Sequence, residues 1–191
     1  MEIEWNSSLH EFPTVSILLF AIAYFLVYFF QVHVMTDFEF LPSASLLFLP
    51  AGVKLLAMLS GRWHGLLGLY LGKLSVDFFL LDAAFAFEIL VTHPLIWILP
   101  AFVALQLVMG YFKVTDDLSN LKTVHLIFIA MVTSLTSALA MQTHLVFADE
   151  AHISWVKGVW SMAMGDVSGV VCTLMVMMIW RRMTAPKQAA H

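Results

Sequence analysis

Six apolar runs leave this chain few alternatives to a membrane bundle, because each is long enough to cross about 30 Å of hydrocarbon as a helix. They lie near 14–32, 43–60, 63–81, 91–112, 123–143 and 159–180. Of the 191 residues, 61% are hydrophobic and only 12% charged. A soluble domain is usually about 45–50% apolar and about 25% charged. The excess needs lipid rather than a larger core. The expected fold is therefore all-α: a polytopic membrane helix bundle of six transmembrane helices. Residues 1–13 form a cytoplasmic N-terminal segment, 14–180 the six-span membrane domain and 181–191 a cytoplasmic tail. The acidic start, MEIEWNSSLHEF, and the long first run read as a retained span rather than a cleaved signal peptide.

The stretch from Phe40 to Phe79 carries most of the chemistry. It contains a proline-glycine break at Pro50 and Gly52, and glycines at 65, 68 and 72. Pro42 and Pro50 both disfavour regular helix, so span 2 has an alternative form in which 42–52 is re-entrant or unwound. Irregular backbone at membrane depth persists only when buried in protein or lining a cavity. Such breaks often bind small ligands; a tolerated kink is the plainer reading. Only Gly61 and Arg62 separate spans 2 and 3, which predicts a tight antiparallel pair. In span 4, Pro94 suits a helix start and Pro100 a kink.

Four ionisable residues fall inside spans: Lys54, Lys73, Asp77 and Asp166. Each costs roughly 2.5–3.5 kcal/mol to place at the bilayer centre, so they should face inward and find partners. Lys73 and Asp77 are four apart and share a helix face. Their expected depth matches that of Asp166, which predicts that Lys73, Asp77 and Asp166 meet. Lys54 lies in the inner half of span 2, where snorkelling to the interface is an alternative to burial. The four formal charges sum to zero, as a closed network requires. The network is either structural or a site for a ligand or ion. Gly68 and Gly72, with Gly65 beside them, and Gly165 with Gly169 have the spacing that lets helix backbones approach, next to these charges.

Other chemistry is thin. No histidine pair has metalloprotease spacing. His144, Asp149, Glu150 and His152 read as a solvated loop before a metal site. The lone Cys172 excludes an internal disulfide. Met175, Met177 and Met178 read as lipid-facing filler, and the six tryptophans as an interfacial belt. No catalytic set can be argued from spacing, so an enzyme is not expected. A net charge of −4 gives no reason to expect nucleic acid.

Two segments resemble MASE1 domains, the integral membrane sensory modules of bacterial signalling proteins. The first is Leu49-Pro50-Ala51-Gly52-Val53-Lys54-Leu55-Leu56-Ala57, followed by Gly61-Arg62 and Gly68-Leu69-Tyr70-Leu71-Gly72. The second, Trp160 to Gly169, reads WSMAMGDVSG and resembles the family's W-x-G-D-x-x-G signature. The resemblance implies a non-enzymatic sensor or small-ligand-binding module that signals through a partner protein. It also implies a multi-pass protein of the bacterial inner membrane. By architecture the chain is similar to the substrate-binding subunits of ECF-type small-molecule transporters, whose partner is an energising module. A structural subunit of a membrane complex is the third reading.

Basic loop residues set the orientation. Arg62, Lys113, Lys122, Arg181, Arg182 and Lys187 fall on one side and Lys157 on the other, which predicts N-in/C-in. Topology reporters fused at Lys187 and near Asp149 check this. Lys187 should report cytoplasm and Asp149 the opposite side; periplasmic activity at Lys187 would overturn the assignment.

Overall fold

The computed structural model of the chain describes residues 13–35, 39–41, 44–45, 47–80, 87–115, 117–147 and 154–184. The terminal segments 1–12 and 185–191, and the loop residues Asp149, Glu150 and His152, lie outside these. The described chain is helical apart from one small hairpin. In order it forms α1 (Pro13–Val34), β1 (Glu39–Leu41), β2 (Ala44–Ser45), α2 (Pro50–Ser60), α3 (Arg62–Phe79), α4 (Phe87–Tyr111), α5 (Thr123–Phe147) and α6 (Trp155–Thr184). The two strands pair antiparallel, Glu39 with Ser45 and Leu41 with Ala44.

Four helices are long and apolar enough to cross a membrane: Pro13–Val34, Leu90–Tyr111, Thr123–Phe147 and Trp155–Trp180. Their outer faces expose Leu18, Ile22, Leu26, Val103, Leu107, Met131, Val176 and Met178. A soluble surface does not carry such continuous apolar area. The protein is a helical membrane bundle.

Two expectations about the spans need correction. Span 2 is not a helix over 43–60; α2 begins at Pro50 and has 11 residues. At 1.5 Å per residue it is about 16 Å long, roughly half the hydrocarbon thickness. Pro50 sits at the start of α2, where its missing N–H is not needed. The unwound alternative for the preceding residues is the one the structure adopts at 47–49. In α4 the helix starts at Phe87, so Pro94 as well as Pro100 lies inside it.

Residue pairings give the helix directions. Gly68 lies against Ile17 and Phe20, and Gly72 against Ala21 and Tyr24, so α1 and α3 run the same way. Gly65 meets Ala57 across the Gly61–Arg62 turn, so α2 and α3 are antiparallel, as the short connection predicts. Arg62 takes a left-handed φ of 46° at that turn. Trp63 packs on Phe102 at 4.9 Å while His93 reaches Asp77, so α4 opposes α3. Ser137 bonds Trp97 and Phe128 packs on Phe112, so α5 opposes α4. Trp155 bonds Thr143, and Met162 bonds Gln142, so α6 opposes α5. Consecutive helices thus alternate in direction.

This alternation puts the α2–α3 turn and the α4–α5 loop at one end of the bundle. That loop is tied by its own polar groups: Asn120 accepts from the Thr115 amide at 2.9 Å and donates to the Lys113 carbonyl at 2.9 Å. Hydrogen bonds from Thr115 and then from Ser119 hold the exposed Asp117 carboxyl below the usual range.

Glycines decide the closest approaches. A methyl group at Gly72 would sit 2.8 Å from the Ala21 carbonyl oxygen, and one at Gly68 2.6 Å from that of Ile17. At Gly65 it would overlap the Ala57 carbonyl outright. The paired glycines of α3 therefore serve α1, while Gly65 serves α2. Gly169 seats the backbone of Phe48 and Leu49 rather than a helix, and the Gly165 carbonyl accepts from the Phe48 amide. Gly110, by contrast, has open space. Gly72→Ala should lower the melting temperature in detergent. Gly110→Ala should leave it unchanged or raise it, since alanine is roughly 0.5–1 kcal/mol better than glycine within a helix. Equal shifts in both variants would show that α1 and α3 do not pack through glycine.

Candidate functional site: two buried ion pairs around an aromatic cluster

Lys54 is 2% exposed and projects from the first turns of α2. Its ammonium donates to Asp166 Oδ2 at 2.7 Å and to Ser137 Oγ at 3.1 Å. It also lies 4.1 Å from the centroid of the Trp97 ring, a cation–π distance. Ser137 in turn donates to the Trp97 carbonyl at 3.0 Å. One lysine thereby ties α2 to α4, α5 and α6.

Lys54 does not snorkel. Helical side chains lean toward the N-terminus of their helix. The N-terminus of α2 lies at mid-bundle, so the Lys54 stem rises toward Asp166 rather than descending to the bundle end.

The second cluster lies on α3 and α4. Lys73 pairs with Asp77 one helical turn on, and both are buried. His93 Nδ1 lies 3.0 Å from Asp77 Oδ2 and 3.3 Å from Lys73 Nζ. A single ring nitrogen cannot donate to the aspartate and accept from the lysine at once. The triad therefore has two proton arrangements of similar geometry. The His144 ring of α5 lies 6.3 Å from that of His93.

The expected meeting of Lys73, Asp77 and Asp166 in direct contact does not occur. Asp166 takes Lys54 as its partner, because α6 packs on α2 and α5 while α3 packs on α1, α2 and α4. All four ionisable residues are nevertheless buried, and each pair is internally neutral.

Aromatic rings fill the space between the two pairs. Tyr24 touches Trp97 at 5.4 Å and Tyr28 at 6.1 Å; Tyr28 touches Phe48 at 5.8 Å; Phe48 touches Trp97 at 6.3 Å. Trp97 is thus a core residue and not part of an interfacial belt. Trp63, Trp160 and Trp180 do lie on the outside.

Phe48 belongs to the non-helical strap 47–49, and its backbone is satisfied within the protein. The Phe48 amide donates to the Gly165 carbonyl at 3.0 Å, and the Leu49 amide donates to Gln31 Oε1 at 3.1 Å. Gly52 has no side chain because the Thr173 side chain of α6 occupies that space. Pro50 and Gly52 therefore end the strap and dock α2 on α6.

Sequence reasoning missed Trp97, Tyr24, His93 and Ser137. Ser137 was findable: Thr133, Ser134, Ser137 and Gln142 form a buried polar stripe on α5 at helical spacing. The other three sit in apolar surroundings that give no pattern.

Among the described residues no group of three His, Cys, Asp or Glu side chains is placed to hold a metal ion. A groove of about 560 Å³ lies elsewhere, between α4 and α5, lined by Leu99, Pro100, Val103, Leu107, Val132 and Thr136. It is apolar and does not touch the ion pairs. No protein-family model, curated protein or solved structure matches this chain.

Breaking a buried pair leaves an uncompensated charge, which typically costs about 3–5 kcal/mol. Lys54→Met should therefore destabilise the bundle strongly, because Asp166 loses its partner. Lys54→Met with Asp166→Asn should recover most of the loss. The melting temperatures of the single and double variants check this, and wild-type stability in Lys54→Met would refute burial of the pair.

Proposed function

We propose that this protein is a non-enzymatic sensor or small-ligand-binding module of the MASE1-like type, acting through a partner protein in the bacterial inner membrane. In this reading the chain crosses the membrane six times with both ends in the cytoplasm. In this reading the strap 47–49 and α2 belong to one crossing. The alternating helix directions support that count. Arg62, Lys113 and Lys122 gather at one end and Lys157 starts the helix at the other, which supports the orientation.

One observation carries the proposal. The two segments that resemble the family come from distant parts of the chain, and they meet through the Lys54–Asp166 pair. Phe48 to Gly165 and Gly52 to Thr173 continue the same contact. A bundle needing only stability does better with apolar residues there, since buried pairs are often neutral or worse than a hydrophobic replacement. Ionisable residues at membrane depth mark functional sites by default.

Charge balance narrows the ligand. Lys54, Asp166, Lys73 and Asp77 sum to zero, so a ligand with net charge would leave an uncompensated charge away from water. The ligand class is therefore net neutral: a zwitterion or an uncharged molecule with hydrogen-bonding groups, with an apolar or aromatic part suited to Tyr24, Tyr28, Phe48 and Trp97.

Native mass spectrometry of the protein released from membranes tests this. The wild type should carry a bound small molecule, and the Lys54→Met, Asp166→Asn double variant should fold yet arrive empty. The same bound species in both, or none in either, would overturn the ligand reading and leave a structural role for the pairs.

A further inference from the structure

The groove between α4 and α5 opens on the outer, lipid-facing surface of the bundle. Ala104 and Val108 form its floor and are buried, while Leu99, Val103 and Leu107 form an exposed wall. From Leu99 to Val108 it runs about 13 Å at 1.5 Å per residue, close to the ~15 Å of hydrocarbon in one leaflet. Spread over that length, 560 Å³ gives a section of about 40 Å², roughly half that of a helix 10 Å across. A flexible chain fits it and a partner helix does not. Thr136 is the one polar side chain in the lining, and its hydroxyl donates to the Val132 carbonyl of its own helix at 2.7 Å. The groove therefore suits an acyl chain.

Charges at one end of the groove point to the kind of lipid. α4 ends at Tyr111 and α5 begins at Thr123, and the exposed Lys113 and Lys122 flank these two ends. Lys113 lies five residues beyond Val108, about 7 Å along the axis. The polar headgroup layer on each side of the hydrocarbon is about 5–8 Å deep. Both lysines thus stand at the level of lipid phosphates. The exposed Asp117 sits at the middle of the loop, four residues from one lysine and five from the other. Hydrogen bonds from Thr115 and then from Ser119 keep it ionised. Its neighbour Asp116 lies outside the described residues. The loop is held in place by the protein itself. Asn120 ties it to the Lys113 carbonyl, and Phe112 stacks on His125 at 4.6 Å across the two helix ends.

We propose that groove and loop together hold one aminophospholipid, with an acyl chain along α4, its phosphate on Lys113 and Lys122, and its ammonium on Asp117. The order of the charges carries the choice of headgroup. In such a lipid the phosphate joins the glycerol and the ammonium lies beyond it. The protein mirrors that order, with cations at the ends of the spans and an anion farther along the loop. Basic residues beside a span attract lipid phosphate. A lipid with a net negative head would satisfy the lysines and leave Asp117 facing a like charge. The site lies apart from the ion pairs and stands whether or not they take a ligand.

Native mass spectrometry tests it. The full chain, stripped of lipid in detergent, is titrated with phosphatidylethanolamine, phosphatidylglycerol and diacylglycerol of the same acyl chains. The wild type should bind one phosphatidylethanolamine more tightly than either of the others. Lys113→Gln with Lys122→Gln should weaken that binding about 30-fold, at roughly fivefold per lysine. Asp117→Asn should keep the need for phosphate and lose the preference for phosphatidylethanolamine over phosphatidylglycerol. These exposed replacements leave the packed bundle untouched. Ala104→Phe, which fills the floor, should weaken binding with the loop intact. Should it fail to fold, Val103→Trp on the exposed wall takes its place. Wild-type affinity in the lysine variant or in the folded groove variant overturns the site. So does diacylglycerol or phosphatidylglycerol bound by the wild type as tightly as phosphatidylethanolamine.

Discussion

A lysine ammonium held away from water must have a carboxylate within reach, and that requirement fixes the placement of most of this bundle. Lys54 reaches Asp166 on α6, Ser137 on α5 and the ring of Trp97 on α4. Lys73 and Asp77 hold α3 to His93 on α4. In lipid the hydrophobic effect does not drive helices together, because the tails are as apolar as the side chains. Directional contacts then decide which helices are neighbours. α1 lacks such a charge and is held by backbone approach over Gly68 and Gly72 instead.

The strap at 47–49 follows from the same constraint. Backbone amides at this depth must bond inside the protein. Gly165 supplies a carbonyl, Gln31 supplies a side-chain oxygen, and the bare surface of Gly169 lets the Phe48 carbonyl approach. Gly169 thus serves a non-helical segment rather than a second helix. The spacing alone does not distinguish these uses, because both need only a helix face without side chains.

The long helices were legible in the sequence to within a few residues, since unbroken apolar length has one solution in lipid. The second span was not. Its apolar run continues through Pro42 and Pro50, and composition alone does not tell helix from buried strap. Burial of the four ionisable residues was legible from their cost, and pairing of Lys73 with Asp77 from their spacing. The partner of Asp166 was not, because depth read from Cα position ignores the length and lean of lysine. Lys54 and Asp166 start at different levels, and the stem of Lys54 closes the difference. Trp97 was misjudged for a related reason: tryptophan's preference for interfaces is statistical, and a cation over its ring is a sufficient reason for burial.

The sequence separation of the Lys54 contact bears on how the chain enters the membrane. Its carboxylate lies 112 residues downstream, on α6. At about 5–20 residues per second, α2 waits roughly 6–20 seconds for its counter-ion. A helix of 11 residues carrying a lone ammonium does not partition into lipid by itself. On that cost α2 should stay unsettled in lipid until α6 arrives, which makes α6 the clasp for α2.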